Sequence, residues 1–126
     1  ETMGALIAQH LPAETTRIAG PELGAVALAA AGSLASRKPF FIVRNAKKDY
    51  GTSKTIEGKL EKGDKVVLVE DIVTTGGQVI EAIKNITDAG AQVIKVIVAL
   101  DRLEGGRENI EKALPPGATF TVCLRG

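Results

Sequence analysis

The sequence predicts an α/β fold with three α/β/α layers around a mainly parallel sheet of about five strands. Two observations carry this. Strand-like runs alternate along the chain with helical segments, the pattern of parallel strands joined by crossover helices. The run Val66-Val67-Leu68-Val69 is β-branched and apolar without alternation, as suits a parallel strand covered on both faces. At 126 residues the chain is long enough to bury a core without staples and short enough for one domain, residues 1–126.

Each element has its own signal. Leu6, Ile7 and Leu11 fall at helical spacing between Thr2 and Leu11, and Pro12 stops that helix. A short strand at Thr16 to Ala19 leads into Gly20-Pro21-Glu22. Leu23 to Leu34 is almost all Ala, Val and Leu, too apolar all round for a surface helix, so a buried, closely packed helix is expected. Pro39 opens a strand at Phe40 to Arg44. The polar tract Asn45 to Gly63 is a long loop of the kind that serves as a lid or binding segment, with a hairpin expected at Thr55 to Leu60. Lys65 to Val69 is the next strand, followed by a helix from Gly77 to Ala89 with Val79, Ile83 and Ile86 on one face and Gly90 as its C-cap. Val93 to Leu100 is a buried strand, Asp101 to Arg107 a polar turn, Glu108 to Leu114 a short helix and Ala118 to Leu124 the last strand.

Composition excludes several classes. Apolar residues make up 44% and charged residues 25% of the chain, which fits neither a disordered nor a collagen-like protein. A formal net charge of +1 provides no global field to draw the chain to nucleic acid or to a membrane surface. No apolar run approaches the ~20 residues that span a bilayer. The single cysteine, Cys123, cannot form an internal disulfide, which favours a reducing, cytoplasmic setting, and it is expected as a small buried hydrophobe in the last strand. The chain begins Glu1-Thr2-Met3, from which a trimmed, processed or designed N-terminus is expected.

The chemistry concentrates after Val69. Glu70 and Asp71 stand at the carboxyl end of a strand, where open α/β sheets place their ligands. Adjacent carboxylates repel each other. They are either a helix cap with a solvated neighbour, or a pair that accepts hydrogen bonds from vicinal sugar hydroxyls and helps hold a divalent ion. Val73 leads into Thr74-Thr75-Gly76-Gly77, which offers hydroxyls and unobstructed backbone N–H groups at the mouth of a helix beginning near Gln78. That favours the second reading, a sugar-phosphate site.

Three further stretches can contribute. Gly20-Pro21-Glu22-Leu23-Gly24 reads as a turn into a helix with Pro21 at the first helical position, and free N–H groups there can grip a diphosphate. Arg44-Asn45-Ala46-Lys47-Lys48-Asp49-Tyr50-Gly51 is either a charged surface loop or a source of cations for a departing diphosphate. Arg102, just past a strand end, either pairs with Asp101 or Glu104 or offers its guanidinium fork to a planar carboxylate. His10 and Tyr50 join no nucleophile or metal constellation.

The segment Val66 to Gly77 resembles the phosphoribosyl-diphosphate (PRPP) motif of the type I phosphoribosyltransferases. The loop at Arg44 to Gly51, the phrase Ile18 to Val26 and the turn Asp101-Arg102-Leu103-Glu104 narrow the likeness to the orotate phosphoribosyltransferases. The resemblance implies transfer of the 5-phosphoribosyl group from PRPP to orotate, forming orotidine 5-monophosphate and diphosphate with Mg²⁺. It assigns the ribose hydroxyls to Glu70 and Asp71 and the 5-phosphate to Thr74, Thr75, Gly76, Gly77 and Gln78, and it counts Val73 among the substrate-binding residues. The diphosphate falls to Arg44, Lys47, Lys48 and the Gly20, Pro21 and Glu22 turn, and the orotate carboxylate to Arg102. Lys48, Asp49 and Asp71 are the expected catalytic residues. Asn45 stands where the family usually has Lys and Tyr50 where it often has His, which leaves Lys48 as the main loop cation with Lys47 in support. The resemblance further implies a homodimer, because the loop often reaches a partner's site. It also implies an N-terminal region, with a Phe-x-Leu-Lys-Ser-Gly-like stretch, that these residues do not supply, so a truncated or engineered core is expected. Two other readings stay open: a phosphoribosyltransferase for another base, and a PRPP-binding regulator or scaffold with little turnover.

Overall fold

The computed structural model describes residues 2–44 and 56–124. In chain order the elements are α1 (Met3–Gln9), β1 (Arg17–Pro21), α2 (Ala25–Ser36), β2 (Phe40–Val43), β3 (Ile56–Glu57), β4 (Lys65–Val73), α3 (Gly77–Asp88), β5 (Gln92–Asp101), α4 (Gly106–Ala113) and β6 (Thr119–Leu124). The sheet runs β3-β2-β1-β4-β5-β6. Five strands are parallel, and β3 pairs antiparallel with β2 at the edge.

The strand pattern divides the core in two. Val66 and Leu68 of β4 face one side and join Val79, Ala82, Ile83 and Ile86 of α3 and Ile110 of α4. Val67 and Val69 face the other and join Ile7 of α1 and Ala29 of α2. A strand covered on both faces gains nothing from alternating polar residues, which is why this run reads as continuously apolar.

Four expectations are corrected. α2 is closely packed but not buried all round. Gly32 lets it approach Ile7, where a Cβ would meet Cγ2 at 2.8 Å, while Leu34 on its outer side is 84% exposed. Pro21 is the last residue of β1 rather than the first of a helix. Ile18 and Glu22 donate their N–H groups to Pro39 and Val43, so the imide nitrogen of Pro21 faces the other edge, where pairing with β4 has already ended at Ala19. Ile56 and Glu57 pair with β2 instead of closing a local hairpin. Cys123 is only partly buried, packed at the fringe of the second cluster.

Topology also fixes where a ligand can sit. From β1 the chain moves outward through α2 to β2, then returns across β1 to β4 and moves outward the other way to β5 and β6. The β1–β4 ladder spans only Arg17–Ala19 against Val66–Leu68, whereas β4 continues along β5 as far as Val73 beside Asp101. The last turns of β4 therefore have a free edge toward β1, the crevice at which open α/β sheets bind ligands.

Candidate active site

β4 extends four residues past Val69, so Glu70 and Asp71 lie within the strand. Neighbouring strand residues point to opposite faces, and this pair follows the rule. Glu70 lines a cleft of about 160 Å³ with Ile72 and the segment Val73 to Val79. Asp71 lies on the α2 side, its carboxylate against Gly24, where a Cβ would overlap it. Its Oδ1 accepts the Ile72 N–H at 2.8 Å. Asp71 N–H donates to Glu70 Oε1 at 3.3 Å. Glu70 is 4% exposed. Burial, reinforced by the charge of Asp71, pushes its carboxyl up to about 8 despite the Asp71 N–H, so it is largely neutral at pH 7.

The turn after β4 is open at the front. No acceptor engages the N–H groups of Thr74, Thr75, Gly76 or Gly77 among the described residues. Gly76 is the N-cap of α3 at φ +90° with no side-chain cap, and a Cβ there would stand 3.0 Å from Ile110 Cγ1, so both conformation and space call for glycine. Uncapped N–H groups at the positive end of a 12-residue helix form a ready anion cradle. Thr74 and Thr75 are exposed beside it. Val73 borders the cleft at the start of the turn, with its side chain 2% exposed and packed in the core. Gln78 also lines the cleft, and its amide donates to the Glu22 carbonyl at 2.7 Å, tying α3 to the loop after β1.

The other predicted residues gather at the same edge of the sheet. Gly20 and Pro21 end β1, and Glu22 follows. Arg44 follows β2, and its Nε is 4.0 Å from Glu22 Oε1. Arg102 follows β5; its N–H donates to the Val73 carbonyl at 2.9 Å, and its exposed side chain makes no ion pair among the described residues. Asp101, instead of pairing with Arg102, is buried and accepts the Leu103 N–H at 2.9 Å. Lys47, Lys48 and Asp49 lie outside the described residues.

Two residues escape sequence reasoning. The Asn109 amide on α4 donates to the Thr75 carbonyl at 2.9 Å, a contact 34 positions apart that no local motif announces. Gly106 lets α4 approach the turn, since a Cβ there would stand 2.6 Å from the Thr74 carbonyl oxygen. The Gly105-Gly106 pair was its visible signal.

Open N–H groups beside acidic side chains at the switch point of a parallel sheet are the arrangement with which α/β domains hold phosphate groups. The chain belongs to the phosphoribosyl transferase domain family, whose model matches residues 3–114. Within the family it is similar to orotate phosphoribosyltransferases. That of Methanocaldococcus jannaschii is 51% identical over 110 residues, covering 87% of this chain and 62% of that protein. That of Pyrococcus horikoshii is 55% identical over 105 residues, covering 83% and 56%. Among solved structures, the Mycobacterium tuberculosis H37Rv orotate phosphoribosyltransferase in complex with PRPP superposes with a TM-score of 0.79 at 29% identity, covering 97% of this chain and 72% of that one. The chain thus spans about three fifths of the length of these two curated relatives.

Proposed function

We propose that the domain binds PRPP and transfers its 5-phosphoribosyl group to N1 of orotate, releasing diphosphate and forming orotidine 5-monophosphate. The observation that carries the reading is the open N–H turn Thr74 to Gly77, set beside Glu70 and Asp71 and tied through its backbone to Arg102. The similarity to orotate phosphoribosyltransferases, one of them solved with PRPP, supports it.

In this reading the turn holds the 5-phosphate, and the Asp71 carboxylate and the largely neutral Glu70 carboxyl receive the ribose hydroxyls. Arg102 offers its exposed guanidinium to the orotate carboxylate. Transfer passes through a cationic, oxocarbenium-like sugar with negative charge growing on the departing diphosphate. Catalysis is then mostly positioning and charge stabilisation, with Lys48, Asp49 and Lys47 acting on the diphosphate side.

Mg²⁺ fits as an ion that arrives with the substrate. It takes one or two carboxylates together with substrate phosphates, and Asp71, partly exposed with one oxygen engaged by a backbone N–H, suits that demand. No group of three or more His, Cys, Asp or Glu side chains gathers among the described residues. When bound, the ion would neutralise charge on the diphosphate. The same reading puts the protein in the cytoplasm as a homodimer. No helix among the described residues is long and apolar enough to cross a membrane.

Calorimetric titration with PRPP and Mg²⁺, followed by an orotate-consumption assay, tests the proposal. Binding should fall at least tenfold in Asp71→Asn and Thr75→Ala. Binding that ignores both substitutions would overturn the site, and binding without turnover would remove the transfer step from this stretch of chain.

A further inference from the structure

We infer that Asn109 is a positioning residue for the phosphate cradle: its side-chain amide aims the Gly76 N–H into the cleft. The inference deepens the PRPP reading and rests on it. A trans peptide is planar, so its C=O and N–H point in opposite directions, and holding the carbonyl from behind turns the N–H forward. Two carbonyls of the turn are held in this way. The Arg102 N–H takes Val73 O and the Asn109 amide takes Thr75 O, each at 2.9 Å. The partners of those carbonyls in the same peptide planes are the N–H groups of Thr74 and Gly76, both without an acceptor among the described residues. Both donors come from the stretch that leaves β5 and enters α4, so the segment bearing Arg102 also sets the geometry of the phosphate turn.

Asn109 is otherwise ill suited to its place. It is exposed within a helix, where Asn is a poorer helix former than Ala. A purely structural role would let Asn109→Ala pass nearly unnoticed, since the gain in helix propensity offsets one exposed hydrogen bond. A positioning role predicts a loss confined to anion recognition. Without the clamp the Thr75–Gly76 peptide is free to rotate, and an N–H that must be ordered at the moment of binding contributes less to affinity.

The test compares wild type with Asn109→Ala and with Asn109→Asp, which keeps the shape and removes the donor. Inorganic phosphate and PRPP with Mg²⁺ are titrated calorimetrically, the Gly76 amide is followed by NMR in the ligand-free proteins, and thermal unfolding checks the fold. The expected result is about tenfold weaker binding of both probes in both variants, a shifted Gly76 amide, and an unfolding midpoint close to wild type. Unchanged affinity in either variant would overturn the role of Asn109 and leave the PRPP reading standing. Unfolding of both variants would make Asn109 structural and overturn the inference as well. Failure of the wild type to bind either probe would bring down the PRPP reading, and the inference with it.

Discussion

Replacing Glu70 with Gln should stabilise the protein at neutral and alkaline pH and leave it unchanged in acid. Burial and the Asp71 charge raise the Glu70 carboxyl from its ordinary 4.5 to about 8. Between those values the folded chain holds a proton that the unfolded chain has released, so stability falls as pH rises. The interval is about 3.5 pH units; at ~1.4 kcal/mol per unit, roughly 5 kcal/mol is lost by pH 8, and none below pH 4.5. Gln has nearly the same shape and no charge at any pH. The two stability curves should therefore meet below about pH 4.5 and separate steadily above it, with the variant more stable by up to roughly 5 kcal/mol near pH 8. Urea unfolding at pH 5, 6, 7 and 8 measures this. Far-UV circular dichroism is the suitable probe because the chain has no Trp. Parallel curves across that range would refute the reasoning, since they would mean that Glu70 ionises as freely in the folded chain as in the unfolded one.

Asp64→Ala should cost about 3 kcal/mol by denaturant titration, because Asp64 bridges the Arg17 guanidinium, the Thr16 hydroxyl and the Glu61 N–H. Burial alone would raise the Asp64 carboxyl, but the Glu61, Arg17 and Thr16 hydrogen bonds outweigh it and hold it below its ordinary 3.8. Its contribution is thus complete above pH 3.8 and lost as pH falls through the lower folded value, so an Asp64→Asn variant should show a flatter acid limb in pH-dependent unfolding. Gly76→Ala, forced to φ +90° and 3.0 Å from Ile110 Cγ1, should lower stability by about 1–2 kcal/mol in thermal unfolding. Gly24→Ala is different: φ at position 24 is −66°, so the backbone accepts alanine, but the new Cβ displaces the Asp71 carboxylate. PRPP affinity should fall about tenfold or more in calorimetry with little change in unfolding midpoint.

The sequence revealed what local patterning controls. β4 is readable because an unalternated Val and Leu run has few other uses, and the turn behind it because Thr-Thr-Gly-Gly carries its conformational demand in its own residues. The end of β4 lies beyond where its apolar run stops. Glu70 and Asp71 look like a strand terminus, yet a strand at a switch point goes on pairing with one neighbour after losing the other, here as far as Val73 beside Asp101. Composition told that α2 packs closely but not which of its alanines face outward. Pro21 is ambiguous for a similar reason: a proline fits a helix start or a strand edge equally well until the neighbour is known. Asn109 and the Asp64 bridge act across 34 to 48 positions, and a chain read in order carries no mark of such pairings.

The position of β1 between β2 and β4 has a consequence for how the chain assembles. A chain emerging from its N-terminus completes α1, β1, α2 and β2 early, and these can pack on one another, but the second edge of β1 stays unpaired until β4 arrives from residue 65 onward. The junction joins residues as far apart as Thr16 and Lys65, 49 positions away, so docking of β4 carries the loop-closure cost that slows parallel sheets. Until then the half-built sheet presents a bare strand edge to other chains, the usual starting point of aggregation. The Asp64 bridge sits at the amino end of that seam, where the residue just before β4 is tied to Thr16 and to Arg17 at the start of β1, so it can form only once the late strand has docked.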